Sequence, residues 1–203
     1  MRDLLRIPAV YKSFAHFVTG NGRFIETYVQ KHIRAQSGDK ILDIGCGPGS
    51  ILDVLPKNCT YTGFDLSDSY INSAKKNYGD RASFFVSGVE TKLIGALPNQ
   101  DLVIATGVLH HLPDNLAQIL LRIAWSNLKP GGRLVTSDGC FTQGQPWLNR
   151  WVVGMDRGEF VRQAPLYRDL ANGCFKDVEL SVYHDLLRIP YSHAIMECKR
   201  GEE

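Results

Sequence analysis

Asp43 and the glycines at 45, 47 and 49 share one short stretch, Asp43-Ile44-Gly45-Cys46-Gly47-Pro48-Gly49, just after the apolar residues Ile41 and Leu42. Glycine at these positions allows a tight turn and lets a ligand reach main chain that a Cβ would shield. The N–H groups opening the helix predicted over 49–55 favour an anionic group. Asp65 closes the next apolar run, where a carboxylate can accept hydrogen bonds from both hydroxyls of a ribose. Strand, glycine turn, helix, strand and acid together make an adenosine-binding unit. A nicotinamide dinucleotide would want a further glycine at position 50, which is Ser50 here. Its pyrophosphate would also be repelled by Asp43, a residue placed to order the turn and to hold a cationic amine. A ligand with an amino-acid tail fits better.

These residues need a scaffold, and hydrophobic periodicity supplies one. Short, nearly continuous apolar runs occur at 41–44, 61–64, 84–86, 102–105 and 133–136, as strands buried on both faces of a parallel sheet require. Helices are predicted between them over 67–79 and 114–128, the latter with Leu116, Ile119, Leu120 and Ile123 as its buried stripe and Lys129-Pro130-Gly131-Gly132 as its stop. Residues 8–36 read as two helical pieces broken at Gly20-Asn21-Gly22, the second with Phe24, Ile25, Tyr28, Val29 and Ile33 on one face. Residues 141–172 interrupt the alternation. Two strands follow at 176–183 and 191–199 with no helix between them, which implies an antiparallel hairpin. The expected fold is α/β, one domain: a helical cap (1–36), a cofactor-binding core (37–140), a lid insert (141–172) and a terminal hairpin (173–203).

Leu109-His110-His111-Leu112 after the fourth run and Leu128-Lys129-Pro130-Gly131-Gly132 before the fifth join the first stretch in a recognisable set. With Ile41 to Gly49, they resemble signatures of the class I S-adenosylmethionine-dependent methyltransferases, in the branch that includes quinone-biosynthesis, sugar and natural-product enzymes. The resemblance covers roughly residues 35–140 and implies a Rossmann-like, mostly parallel seven-stranded sheet with helices on both faces. It implies S-adenosyl-L-methionine as cofactor and S-adenosyl-L-homocysteine as product. Gly45 and Gly47 would lie beside the methionine part, Asp65 on the ribose and Leu66 against the adenine. Asp43, Cys46, Gly49, Gly88, Val89 and Gly107 would complete that site. One departure stands out: many members carry an acid after the third strand for the adenine amino group, and this chain has Ser87-Gly88-Val89.

A sulfonium methyl is already activated, so the protein must chiefly align a nucleophile and exclude water. No metal is expected. A base is needed only where the acceptor must lose a proton. His110 and His111 are the catalytic candidates, His111 first, or else the pair caps the following helix and contacts the cofactor. Asp138, ending the fifth strand, binds an acceptor hydroxyl or anchors a loop. Trp147, Trp151 and Met155 at helical spacing read as core packing rather than a substrate wall. Arg157, Arg162 and Tyr167 are lid candidates for acceptor binding, although Asp156, Glu159 and Asp169 also suit a salt-bridged surface. Tyr11 is a further acceptor candidate. Tyr191 and His193, alternating with Ser192, read as faces of the last strand before they read as lining of the acceptor cleft.

The 203 residues are 44% hydrophobic and 22% charged with a net charge of +2, which gives no broad electrostatic footprint for nucleic acid. A small-molecule acceptor is therefore expected. Five scattered cysteines without paired spacing, no signal-peptide core in residues 1–12 and no run of ~18 apolar residues point to a cytoplasmic protein without a membrane span. Three other readings stay open: a non-catalytic adenosyl-ligand module serving a partner protein, an RNA or protein methyltransferase, and a nucleotide-dependent oxidoreductase. The RNA or protein reading lacks the Asn/Asp-Pro-Pro-Tyr tetrapeptide used on planar amines.

Overall fold

A computed structural model describes residues 23–89, 97, 99–156 and 158–202. Tyr11, Arg157 and the helical piece expected before Gly20 lie outside these residues. The five apolar runs form β1 (Lys40–Ile44), β2 (Thr60–Asp65), β3 (Ala82–Val86), β4 (Gln100–Thr106) and β5 (Leu128–Phe141). A two-residue β6 (Arg162–Gln163) pairs with the end of β5, and β7 (Asp177–Tyr183) and β8 (His193–Lys199) make the terminal hairpin. The sheet runs β3-β2-β1-β4-β5-β8-β7, parallel from β3 to β5 and antiparallel where β8 meets β5 and β7. This is the mostly parallel, hairpin-ended sheet expected from the sequence.

Strand order fixes where a ligand can go. The chain winds outward from β1 to β3, then returns to lay β4 on the other side of β1. Loops at the carboxyl ends of β1 and β4 therefore diverge, and the crevice between them is the binding position of an open α/β sheet.

Adjacent residues on each buried strand feed opposite cores. Leu42 and Ile44 of β1, with Val103 and Ala105 of β4, face a cluster completed by α2 (Asp114–Asn127) and α4 (Ala164–Ala171). Ile41, Leu102 and Ile104 face the other way, against α1 (Asp68–Tyr78) and a π-helix, Ile25–Ile33. Ser67 caps α1, its hydroxyl oxygen accepting from the Tyr70 amide at 3.3 Å. The second N-terminal piece buries Tyr28, Val29 and Ile33 of the expected face, with Phe24 half-buried against the same cluster. Ile25 is exposed and His32 is buried in addition, because the wider π turn shifts the inward face.

Two further elements differ from expectation. α2 buries Ala117, Leu120, Leu121 and Ala124, leaving Leu116, Ile119 and Ile123 half-buried at its flanks. Ala117 and Ala124 let the helix axis approach the sheet, and Leu120 and Leu121 fill the seam between them. Lys129 to Gly132 does not separate α2 from the strand either. It lies inside β5 as an irregularity, the register passing from Gln100↔Leu128 to Leu102↔Arg133.

The insert is the main correction. Trp147, Trp151 and Met155 lie on or just after α3 (Trp147–Gly154), and they are 78%, 57% and 58% exposed; the helix buries Asn149 and Val153 instead. The expected core stripe is thus a solvent-facing one. The second half of the insert is not a cover at all. α4 buries Ala164, Tyr167 and Ala171 in the core and serves as the crossover helix leading to β7.

Candidate functional site

The glycine turn folds back onto the end of β2. The amides of Gly45 and Cys46 both donate to the Phe64 carbonyl, at 2.7 and 2.9 Å. Gly45 has φ +80°, and a Cβ there would sit 2.4 Å from Val108 Cγ2, so only glycine brings the two loops this close. Gly47 has φ +54° and open space where its Cβ would be, which leaves its main chain approachable. Instead of a helix over 49–55, a single 3-10 turn, Ser50–Asp53, follows. The amide cluster facing a ligand is correspondingly short.

Asp65 ties this turn to the next one. Its Oδ2 accepts from the Gly47 amide at 2.9 Å and its Oδ1 from the Ser67 amide at 2.8 Å. Burial raises the Asp65 pKa, and these two amides oppose the rise. Each oxygen keeps a further lone pair for an incoming hydroxyl. Beside it Leu66 is 76% exposed, and a Cβ on Gly88 would lie 3.1 Å from Leu66 Cδ2. The Leu66 side chain thus lies over Gly88 and presents an exposed apolar face one residue beyond the carboxylate. Val89 is turned instead toward the core.

Asp43 does not order the glycine turn as expected, since Phe64 and Asp65 do so. It is buried, and its Oδ2 accepts from the Tyr61 hydroxyl at 2.5 Å while Oδ1 has no hydrogen-bond partner. Burial pushes its carboxyl up to about 7, against the lowering effect of the Tyr61 bond. A cation arriving beside Oδ1 would favour the ionised form.

On the β4 side, Gly107 (φ +69°) donates its amide to Ser137 O at 2.8 Å and leads into the 3-10 turn Leu109–His111. His110 is buried there between two carboxylates. Asp138 Oδ1 accepts from the His110 amide at 3.2 Å and lies 2.9 Å from Nδ1, while Nε2 lies 3.3 Å from Asp156 Oδ1. Burial alone would lower the His110 pKa, but Asp138 and Asp156 reverse that and lift it to about 9. Burial likewise tends to raise Asp156, yet His110, the Tyr191 hydroxyl and the Gly158 amide hold it well below the usual carboxylate range. His110 is therefore an imidazolium at neutral pH. His111 is exposed beside it, ring centroids 4.2 Å apart.

Arg162 and Tyr167 are brought to a different place from the one expected. Arg162 is buried with its guanidinium on Asp114 and on the carbonyls of Leu109, Leu112 and Phe160. Tyr167 is buried too, donating to the Gly139 carbonyl at 2.8 Å. Both brace the His110 turn and the end of β5 from beneath, with no polar group left toward a cleft. Conversely, the sequence gives Asp156 only as a surface partner of arginines, with no signal for its place beside His110. The alternation Tyr191-Ser192-His193 turns both rings to one side, where they pack at 4.8 Å beside Asp156. Burial, then the His110 charge, lower the His193 pKa to about 4, with Asp156 opposing.

A family model described as a methyltransferase domain matches residues 42–134. The chain is 26% identical over 142 residues to a ubiquinone biosynthesis O-methyltransferase of Idiomarina loihiensis, covering 66% of this chain and 54% of that protein. It is 33% identical over 111 residues to the 27-O-demethylrifamycin SV methyltransferase of Amycolatopsis mediterranei, covering 51% and 39%. Among solved structures, human N-acetylserotonin methyltransferase in complex with SAM matches with a TM-score of 0.64 at 20% identity, covering 80% of this chain and 48% of that one. This last likeness is one of fold. The chain spans about half the length of the curated relatives it matches.

Proposed function

We propose that this chain, which carries a match to a methyltransferase domain over residues 42–134, is a class I S-adenosylmethionine-dependent methyltransferase and moves the sulfonium methyl of S-adenosyl-L-methionine to a small-molecule acceptor. The observation that carries this reading is Asp65, held by the Gly47 and Ser67 amides at the mouth of β2 and followed by the exposed Leu66. That placement suits a ribose diol on the carboxylate and an adenine against the apolar face of Leu66. The methionine part would run along Gly45, Cys46, Gly47 and Gly49, its ammonium toward the unpartnered oxygen of Asp43, with Gly107 near the methyl. Val89, turned to the core, offers the adenine no side-chain bond, so its main chain is left for that role.

The acceptor atom attacks the methyl carbon from about 3 Å, in line with the S–C bond, whose electron pair stays on sulfur to give the thioether S-adenosyl-L-homocysteine. His110, already protonated, orients its surroundings and does not accept a proton. His111 is the side chain beside it that can orient an acceptor or take its proton, and Asp138 acts through His110. Tyr11 and Arg157 belong with the acceptor group in this reading, while Arg162 and Tyr167 brace the turn that carries the histidines. The named O-methyltransferase relatives favour an oxygen acceptor.

Calorimetry with S-adenosyl-L-homocysteine tests this directly. Binding is expected in the wild type and should weaken by roughly 10- to 100-fold in Asp65→Ala, about 1.4 to 2.7 kcal/mol. A folded wild-type sample that bound none of the ligand would end the proposal, as would an Asp65→Ala protein with unchanged affinity.

A further inference from the structure

The nitrogen and oxygen atoms offered by His110, His111 and Asp156 lie within 4.8 Å of one another. The three residues come from two segments, the 3-10 turn after β4 and the end of the first insert helix. No spacing in the sequence announces them as a set. A tetrahedral ion with bonds near 2.0–2.1 Å holds its ligand atoms roughly 3.4 Å apart. His110 Nε2 and Asp156 Oδ1 are 3.3 Å apart, so this pair already has the separation of two ligands on one ion. His111, exposed and carried on the same turn, offers a ring nitrogen within 4.8 Å of both.

Each of the two buried ligands is also oriented from behind, the arrangement that metal-binding side chains use. Asp138 fixes His110 through Nδ1 at 2.9 Å, which leaves Nε2 as the outward atom. Asp156 is held by the Tyr191 hydroxyl on Oδ2 and by the Gly158 amide on Oδ1 at 2.9 Å. The Phe160 amide donates to the His110 carbonyl at 2.9 Å and locks the two segments together. Charge points the same way. Asp138 and Asp156 bring two negative charges to one buried imidazole, Asp138 Oδ2 has no hydrogen-bond partner, and the neighbouring Arg162 is spent on Asp114. A cation at Nε2 displaces the proton there to solvent, so in the cation-bound form His110 is neutral and His111 is a ligand rather than a base.

We propose that His110, His111 and Asp156 form a site for one first-row divalent cation, with Asp138 and Tyr191 as its positioning residues. Two imidazoles and a carboxylate without a thiolate suit Zn²⁺, Co²⁺, Fe²⁺ or Mn²⁺ rather than Cu(I). Three protein ligands leave positions open. The His110 ring borders Gly107, so an open position faces the crevice, where it takes an oxygen of the methyl acceptor. That last clause rests on the proposed methyl transfer; the cation site itself does not.

The test is a titration of the chelator-stripped full chain with Co²⁺, read by its visible d–d absorption. One ion per chain is expected in the wild type. His111→Ala, an exposed change that leaves the core intact, should weaken binding at least ~10-fold, as should Asp156→Asn, and Asp138→Asn should weaken it by about 10- to 100-fold although it touches no ion. S-adenosyl-L-homocysteine binding, measured on the same metal-free samples, separates the two proposals. Retained ligand binding with no Co²⁺ spectrum overturns the cation site alone; an intact Co²⁺ spectrum without ligand binding overturns the adenosyl site alone. A Co²⁺ affinity that His111→Ala and Asp156→Asn both leave unchanged would also overturn the cation site.

Discussion

Arg162→Ala separates two roles that the sequence could not, acceptor binding and bracing. The guanidinium donates to Leu109 O at 2.8 Å, Leu112 O at 2.6 Å, Phe160 O at 3.0 Å and Asp114 Oδ1 at 2.7 and 3.0 Å. Asp114 is 73% exposed, so the ion pair itself contributes little, about 0–1 kcal/mol. The carbonyls matter more. An orphaned buried acceptor costs about 1–3 kcal/mol, and of the three only the Leu109 bond is fully buried, so water entering the vacated space recovers part of the other two. The expected loss is roughly 2–4 kcal/mol, which for a chain of this length lowers Tm by about 5–15 °C. Differential scanning calorimetry reads the shift, and S-adenosyl-L-homocysteine affinity measured well below both transitions should stay near wild type. If Tm stayed within ~2 °C of wild type while the acceptor KM rose, Arg162 would be an acceptor ligand and the bracing argument would fail.

Gly45→Ala should destabilise the fold and abolish adenosyl-ligand binding together, because the added Cβ meets Val108 Cγ2 at 2.4 Å on a residue with φ +80°; a cost of about 1–3 kcal/mol in urea melts is expected, and an unchanged midpoint would refute the close approach. Tyr61→Phe removes the hydroxyl that bonds Asp43, whose other oxygen is already unpartnered, and should cost about 1–3 kcal/mol by the same measurement. Acid should weaken the fold through His193. Its pKa is about 4 when folded against an ordinary 6.5, so the unfolded chain binds more protons between those values. Its contribution is complete above about pH 6.5 and falls by roughly 2–3 kcal/mol as pH drops toward 4. Comparing urea midpoints at pH 5 and pH 7 for wild type and His193→Gln checks this: the variant should show the smaller difference, and an equal difference refutes it.

The arrangement of the residues proposed to hold the cofactor was legible because it is local. Ile41 to Gly49, Asp65 and Leu66 owe their placement to one strand-turn-strand unit, and strand periodicity alone puts the turn at the end of β1. The sheet was legible for a similar reason, since strands buried on both faces must read as continuous apolar runs. The acceptor half was not. Asp156 meets His110 only because the first insert helix ends beside the β4 loop, and Tyr191 reaches Asp156 only through the pairing of β8 with β5. Such contacts depend on tertiary distance, which periodicity does not encode. The exposed face of Trp147, Trp151 and Met155 misled for the converse reason. Helical spacing identifies a common face without saying what, if anything, covers it.

The bonds from Asp65 to the Gly47 and Ser67 amides fasten the glycine turn after β1 to the entry of α1 through one side chain. Three points of the chain therefore share a single anchor, and each gives up its freedom in the same folding step. Removing the carboxylate would release both turns at once, whereas a change at Ser67 that spared its amide would release neither.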